Sequence, residues 1–207
     1  MAAPIEPYKK VKITNVLGTK CKSLSLSGNS IEIDFAQLVN LEEFRFYALR
    51  NDVNPVLDFT NLVNLKSLTA NSYNGTIVGT FTLPTSIIGN LEKFYLENID
   101  NSNTINMPSI PLSSNVKEVG LVNLLSYGIS LQSLLVVPPT MANCYKFVAN
   151  GNDLDQTQVD NILIALDANG LNQGTCDVGG GSNAMPSGAG AAAAANLISK
   201  GWQVSTN

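Results

Sequence analysis

The side chains of this sequence that could do chemistry favour binding over catalysis. The 207 residues contain no histidine, which removes the commonest general base, the commonest metal ligand and every Ser-His or Cys-His nucleophile pair. Three cysteines, Cys21, Cys144 and Cys176, lack metal-ligand spacing, and their odd number does not suit a disulfide framework. We interpret them as buried free thiols. We therefore expect no enzyme activity, no cofactor and no metal site.

Two segments come close to ligand-binding motifs without completing them. Asp153, Asp155, Thr157 and Asp160 resemble part of a calcium loop, but the glycine at position 6 and the closing glutamate are absent. Helix capping explains these side chains better. Residues 188–193 have the form G-x-G-x-x-A, but they follow a proline-containing loop, and no acidic residue stands about 20 positions later. Neither segment predicts a ligand site.

The strongest binding candidates are tyrosine, charged and hydroxyl side chains at alternate positions of short apolar segments. Alternate residues of a strand point to the same face, so these side chains would share one surface. Tyrosine and arginine are favoured in binding hot spots, and tyrosine also stacks on sugar rings. We predict a binding face that contains Arg45, Tyr47, Thr69, Lys93, Tyr95 and Glu97.

The candidates belong to a repeated pattern of one apolar residue, two variable, one apolar, one variable and one apolar. Successive copies begin 20, 24, 26, 25 and 28 residues apart, which is inside or at the edge of the range for stacked repeats. One unit cannot bury its apolar face alone, whereas stacked units share a core. The six copies are CKSLSL at 21–26, LEEFRF at 41–46, LKSLTA at 65–70, LEKFYL at 91–96, VKEVGL at 116–121 and CYKFVA at 144–149.

Two further features recur with the motif. Asparagine precedes its last five copies, as Asn40, Asn64, Asn90, Asn115 and Asn143, and we predict a ladder of asparagines bonded to buried backbone at a tight corner. A second apolar stretch between the motifs predicts a short strand on the opposite side, often ended by proline. These stretches are IEIDF at 31–35, VLDF at 56–59, FTLP at 81–84, INMP at 105–108 and LLVVPP at 134–139.

The motif resembles the leucine-rich repeat, whose strand pattern is L-x-x-L-x-L-x-x-N. The first and last copies match through the asparagine, at Asn29 and Asn152, and the middle copies keep only the apolar positions. The proline-ended strands are similar to the irregular repeats of bacterial surface adhesins. The resemblance covers roughly residues 20–152. It implies a β-rich α/β solenoid, a parallel β coil of about six turns over residues 21–152, preceded by an extended arm or cap at 1–20.

Residues 153–207 predict a C-terminal cap of helix, strand, helix and strand. Asp155 and Gln158 form a capping box, and Gly170 suits the position after the first helix. The apolar face of this helix comprises Val159, Ile162, Leu163 and Leu166. An alanine-rich helix with Lys200 in its last turn and Gly201 after it precedes a final strand, which Trp202 anchors. Its small side chains favour close packing on a flat surface.

Part of this cap resembles a C-terminal module that follows leucine-rich-like repeats in proteins of Bacteroidetes-group bacteria and their phages. The matching segments are LDANG at 166–170, GGSNAMPSGAG at 180–190 and GWQV at 201–204. Such proteins are mostly described as phage tail or fibre components. The resemblance implies a non-enzymatic virion structural protein, a spike, fibre or decoration component. Its partners would be other virion proteins and a host surface protein or glycan.

Composition agrees with this interpretation. Only 14% of residues are charged and the net charge is −4, which argues against nucleic acid as a partner. No run approaches the ~18 apolar residues that span a bilayer. The start, MAAPIEPYKK, has no apolar segment of a secretion signal, as expected for a virion protein that is assembled in the host cytoplasm. We expect the protein to be exposed on the virion surface as a homo-oligomer. The alternative is a leucine-rich-repeat adhesin or interaction scaffold at a bacterial cell surface.

Overall fold

The computed structural model describes residues 11–13, 21–28, 31–33, 35, 38–48, 56–72, 80–98, 105–106, 109–124 and 129–207. In these residues a mostly parallel β sheet is combined with a few helices, so the chain has an α/β fold. In chain order the elements are β1 Val11–Ile13, β2 Ser23–Gly28, β3 Ile31–Ile33, β4 Glu43–Ala48, β5 Val56–Asp58, β6 Ser67–Ser72, β7 Thr80–Thr82, α1 Thr85–Ile88, β8 Lys93–Glu97, β9 Ile105–Asn106, β10 Ile110–Pro111, β11 Glu118–Val122, α2 Leu131–Leu134, β12 Leu135–Val136, β13 Lys146–Val148, α3 Gln156–Asp167, β14 Thr175–Asp177, α4 Gly188–Ser199 and β15 Gln203–Ser205.

The large sheet has eight strands in the order β2-β4-β6-β8-β11-β13-β14-β15, and every neighbouring pair is parallel. The first six of these strands are the six predicted motif strands, which are therefore confirmed. Their order in the sheet is their order in the chain, so each copy lies beside the next. This arrangement brings equivalent motif positions into rows across the sheet.

A separate five-stranded parallel sheet has the order β1-β3-β5-β7-β9 and contains predicted second strands together with β1. Four of the five predicted stretches contribute a strand to it. The fifth, at 134–139, differs, because α2 includes Leu134 and the two residues that follow form β12, which pairs with β10 in a two-stranded sheet. The predicted N-terminal arm contains β1, and its AAPIEP segment lies outside the described residues, as does Asn29.

The core forms beneath the large sheet because alternate residues of each motif strand are apolar. Phe44, Phe94 and Phe147 stand in one such row of the sheet, and each is completely buried. Phe35 and Phe59 complete an aromatic cluster with Phe44, in which ring centroids lie 5.1–5.5 Å apart. The alternation that buries these rings leaves the remaining motif residues on the outer face.

The predicted asparagine ladder before the strands is wrong. At this corner the chain turns at the surface, where water can satisfy an amide, so the positions do not require burial. The amide of Asn64 donates to the carbonyl oxygen of Val39 at 2.9 Å. The exposed members of the set are Asn64, Asn90, Asn115 and Asn143.

The buried asparagines of the described residues lie after the strands instead. Asn152 is completely buried, and its amide donates to the carbonyl oxygens of Leu121 at 2.6 Å and Ala149 at 3.0 Å. Its side-chain oxygen accepts from the backbone N–H of Leu124 at 3.0 Å. Asn152 is the asparagine that ends the leucine-rich pattern in the last motif, and it satisfies backbone groups of two successive copies.

Asn183 occupies an equivalent position one copy later, inside the GGSNAMPS loop. Its amide donates to the carbonyl oxygens of Ala149 and Val178, both at 2.9 Å, and its oxygen accepts from the N–H of Leu154 at 3.1 Å. The side chain is 4% exposed. The loop is therefore an ordered part of the fold, because its central amide satisfies three buried backbone groups.

The predicted elements of the C-terminal segment are confirmed. Helix α3 begins at a complete capping box of Asp155 and Gln158, and the four residues of its predicted apolar face are buried. Gly170 and Gly201 have φ of +73° and +84°, as the position after a helix requires. Trp202 is 4% exposed, and its indole N–H donates to the carbonyl oxygen of Leu171 at 3.0 Å.

Helix α4 packs on helix α3 rather than on a flat surface. Gly190 lies against Asp160, where a side chain would collide with the carboxylate. The same carboxylate accepts from the backbone N–H of Ser187 at 2.8 Å and from the Ser187 hydroxyl. Small residues at the start of α4 thus permit a close approach that fixes the helix against its neighbour.

Candidate functional site

The outer face of the large sheet is arranged in rows by the strand register. One row runs Ser25, Arg45, Thr69, Tyr95, Gly120, Val148, Asp177 and Ser205. The row on one side of it begins Ser23, Glu43, Ser67, Lys93, Glu118 and Lys146, and the row on the other side runs Ser27, Tyr47, Asn71, Glu97 and Val122. Strands β4 to β11 therefore place their larger polar side chains side by side.

The six predicted binding residues meet in one depression of about 280 Å³ on this face. Strand β4 supplies Arg45 and Tyr47, β6 supplies Thr69, and β8 supplies Lys93, Tyr95 and Glu97. The depression is completed by Ser67, Asn71 and Glu118. Sequence spacing alone thus identified side chains that the fold brings together, because in-register pairing aligns equivalent motif positions.

Hydrogen bonds fix the polar groups at the β2–β4 end of this depression. Arg45 donates to Oε1 of Glu43 through Nε at 2.9 Å and Nη2 at 2.5 Å. The hydroxyl of Ser23 donates to the other oxygen at 2.8 Å. The hydrogen bonds from Ser23 and Arg45 lower the pKa of Glu43. Tyr47 is 36% exposed and offers its ring to solvent at the rim.

At the opposite end, Glu118 is the centre of a hydrogen-bonded cluster. Lys93 Nζ lies 2.5 Å from Oε1, the Tyr95 hydroxyl donates to Oε2 at 2.7 Å, and the Tyr145 hydroxyl donates to Oε1. Burial opposes ionisation of this carboxyl, but the bonds from Lys93, Tyr145 and Tyr95 outweigh it and lower the pKa of Glu118 to about 2. Glu118 is therefore a carboxylate at any physiological pH.

Tyr95 lies flat on the sheet, with its ring over Gly120. Lys146 Nζ is 5.4 Å from the ring centroid on the same outer face, within reach of a cation–π interaction. Burial and the neighbouring Glu118 raise the pKa of Tyr95. This tyrosine is thus held by neighbours on several sides, and its ring is less accessible than that of Tyr47.

Four residues of this cluster are not among the predicted site residues: Glu118, Gly120, Tyr145 and Lys146. Glu118, Gly120 and Lys146 occupy outward motif positions, so their place on the face was predictable. Their role was not, since it depends on the orientation of Tyr95 across the neighbouring strand. Tyr145 precedes β13, and its backbone N–H donates to the carbonyl oxygen of Lys117 at 3.1 Å. Tyr145 and Lys117 are both the second residue of their motif copies, and this shared motif position was the sequence signal that could have identified Tyr145.

The motif fragments considered in the sequence have structural roles. Asp153 accepts from the backbone N–H groups of Leu131 at 2.9 Å and Gln132 at 3.4 Å, which caps α2. Asp155 caps α3, as expected. In the described part of the chain, no group of three or more histidine, cysteine or acidic side chains is placed to hold a metal ion.

The two buried cysteines are not activated as nucleophiles. Both Cys144 and Cys176 are completely buried free thiols, as predicted. Burial raises the pKa of Cys144 to about 12 and raises that of Cys176 as well. Cys21 is partly exposed rather than buried.

No helix in the described segments is long and apolar enough to cross a membrane. Searches against protein-family models, curated proteins and solved structures find no match to this chain.

Proposed function

We propose that this chain is a non-enzymatic structural protein of a phage virion, a spike, fibre or decoration component. In this proposal the large sheet lines the concave side of a leucine-rich-repeat-like solenoid, capped by residues 153–207. The solvent-facing side of this sheet, called the outer face above, binds another virion protein or the host surface. The observation that carries the binding role is the single depression that collects all six of the side chains selected from the sequence.

The form of the depression favours recognition of a partner. Its two cationic groups are already paired, Arg45 with Glu43 and Lys93 with Glu118. Paired and hydrogen-bonded side chains lose little freedom when a partner docks, which reduces the entropic cost of binding. Tyr47 supplies an exposed aromatic ring of the kind that anchors protein interfaces.

The virion context rests on the resemblance of the C-terminal module, and the packing of the motif residues supports treating it as a module. Asn183 of the G-G-x-N-A segment, Ser187 of the P-S pair and Trp202 of G-W-x-V each make a specific internal contact. A sequence pattern whose members each support the fold is expected to recur as a unit. Its occurrence after repeats in phage tail and fibre proteins therefore suggests a shared role.

Binding of the free protein tests this proposal. The labelled chain is titrated onto host cells and onto purified virus particles from the culture that carries the gene. We expect saturable binding to one of the two, reduced at least about tenfold by Tyr47→Ala, which removes an exposed anchor. The matched control is Met185→Ala, because Met185 is 65% exposed and lies outside the depression.

Two results would count against the proposal. Absence of binding by the unmodified chain to both cells and particles would remove the attachment role. Equal binding by Tyr47→Ala and Met185→Ala would place the interaction on a surface other than this depression.

A further inference from the structure

A second depression, of about 510 Å³, lies at the opposite end of the same sheet face. It is lined by Tyr145, Lys146, Gln173, Gly174, Thr175, Gly201 and Gln203, none of which belongs to the predicted site. Its volume lies in the range of small-molecule sites. Strands β13, β14 and β15 and the turns that precede them form its floor and walls.

Gly174, in the lining of this depression, stands between two large aromatic residues. The backbone N–H of Thr175 donates to the carbonyl oxygen of Tyr145 at 3.0 Å, and that of Gln203 donates to the carbonyl oxygen of Gly174 at 2.9 Å. Gly174 therefore occupies the ladder position between Tyr145 and Trp202. Its missing side chain leaves room for the Trp202 ring, which lies close beneath it.

Three neutral polar side chains line this depression without an internal partner. In the part of the chain that the structure describes, the side chains of Gln173, Thr175 and Gln203 make no hydrogen bond. Primary amides and hydroxyls each both donate and accept. Together they present a set of neutral donors and acceptors of the kind that matches neighbouring hydroxyl groups.

An aromatic ring stands beside these groups. Tyr145 is 44% exposed, and its hydroxyl is bonded to Glu118, which limits how the ring can turn. Gln173 opposes it from a backbone with φ of +62°, an uncommon value for a residue with a side chain. Such strained positions concentrate at ligand-binding sites. The ring is therefore held in place next to the unpaired amide and hydroxyl groups.

The chemistry of these groups selects a class of ligand. Lys146 is the one charged side chain in the lining, so a phosphate or nucleotide would lack the several cationic or backbone donors it needs. An exposed ring can pack on the C–H face of a sugar, while amides and a hydroxyl bond its hydroxyl groups. We propose that this depression is a saccharide-binding site for a short, hydroxyl-rich oligosaccharide.

The site goes beyond the virion proposal and does not depend on it, because saccharide binding can be measured with the purified chain alone. The probe is an array of immobilised neutral and acidic oligosaccharides, followed by titration of the best-binding oligosaccharide in solution. We expect selective binding that Gln203→Ala and Gln173→Ala each weaken about tenfold or more. Gln132→Ala is the matched control, since Gln132 is an exposed glutamine outside the depression.

Tyr145 separates stacking from hydrogen bonding. Tyr145→Phe keeps the ring but loses the hydroxyl bond to Glu118, so it is expected to bind more weakly than the unmodified chain, whereas Tyr145→Ala is expected to abolish binding. Thermal unfolding of each variant identifies any that has lost its fold. Tyr47→Ala lies in the other depression and is expected to bind the oligosaccharide like the unmodified chain, so failure of one proposal is distinguishable from failure of the other.

The proposal is overturned if the unmodified chain binds no oligosaccharide on the array. It is also overturned if folded Gln203→Ala and Gln173→Ala bind as tightly as Gln132→Ala.

Discussion

At the scale of single residues, Gly120 determines how the outer face is built. It lies in the same row as Arg45, Thr69 and Tyr95, yet it is buried because the ring of Tyr95 covers it. A residue with a side chain at this position would push the ring upwards. The contact of Tyr95 with Glu118, and through it the position of Tyr145, therefore depends on the absence of one Cβ atom.

The variant Gly120→Ala is expected to lower the free energy of unfolding by about 1–3 kcal/mol, because the added methyl group collides with the Tyr95 ring. Chemical denaturation measures the change. The control is Gly188→Ala, since a Cβ there meets nothing within 4 Å and alanine is the better helix former, so stability should stay equal or rise by up to about 1 kcal/mol. Equal stability of Gly120→Ala and the unmodified chain would contradict the placement of Tyr95.

Glu118 also predicts a pH dependence of stability. Its folded-state pKa of about 2 lies below the value of about 4.3 for an unfolded chain. The stabilisation is therefore complete above about pH 5 and is lost as the pH falls toward 2. Denaturation midpoints measured between pH 6 and pH 2.5 should fall less steeply for Glu118→Gln than for the unmodified chain. Parallel profiles would show that this carboxylate is not selectively stabilised by its three donors.

At the scale of elements, two sets of contacts hold neighbouring motif copies in register. At the position just before each of the first five motif strands, the charge alternates from one motif copy to the next: Lys22, Glu42, Lys66, Glu92 and Lys117. Lys22 Nζ lies 2.8 Å from Oε1 of Glu42, and Lys117 Nζ lies 2.7 Å from Oε2 of Glu92. These pairs are exposed, so each contributes little to stability. After the strands, Asn152 and Asn183 satisfy buried backbone groups, and losing such partners costs much more.

Asn183→Ala is expected to lower the free energy of unfolding by about 2–4 kcal/mol, since it leaves the backbone groups of Ala149, Val178 and Leu154 without this partner. Asn143→Ala is the matched control. Asn143 is exposed before its strand, and its replacement should change stability by no more than about 0.5 kcal/mol. A larger decrease in the free energy of unfolding for Asn143→Ala would support the asparagine ladder predicted from the sequence.

At the scale of the whole molecule, the sequence predicted what depends on local pattern. The period-two alternation identified the six motif strands and, because equivalent motif positions pair in register, placed the six candidate residues on one face. The capping box of Asp155 and Gln158 identified the start of α3 correctly. These features could be predicted because each depends on residues close together in the chain or on a repeat visible in it.

The sequence could not supply what depends on long-range side-chain orientation. Asparagine occurs both before and after the strands, and only the packed structure distinguishes exposed Asn143 from buried Asn152. The second depression was also missed, because Tyr145, Gln173 and Gln203 are distant in sequence and come together only when β13, β14 and β15 pair.

Quantitative mass spectrometry of gradient-purified virus particles, compared with the cell fraction of the same culture, tests whether this chain is a virion protein. We expect this chain to be present in particles at a fixed stoichiometry to the major capsid protein. Its absence from particles, with the protein found in the host envelope or cytosol, would contradict the virion assignment and favour a cellular adhesin or scaffold.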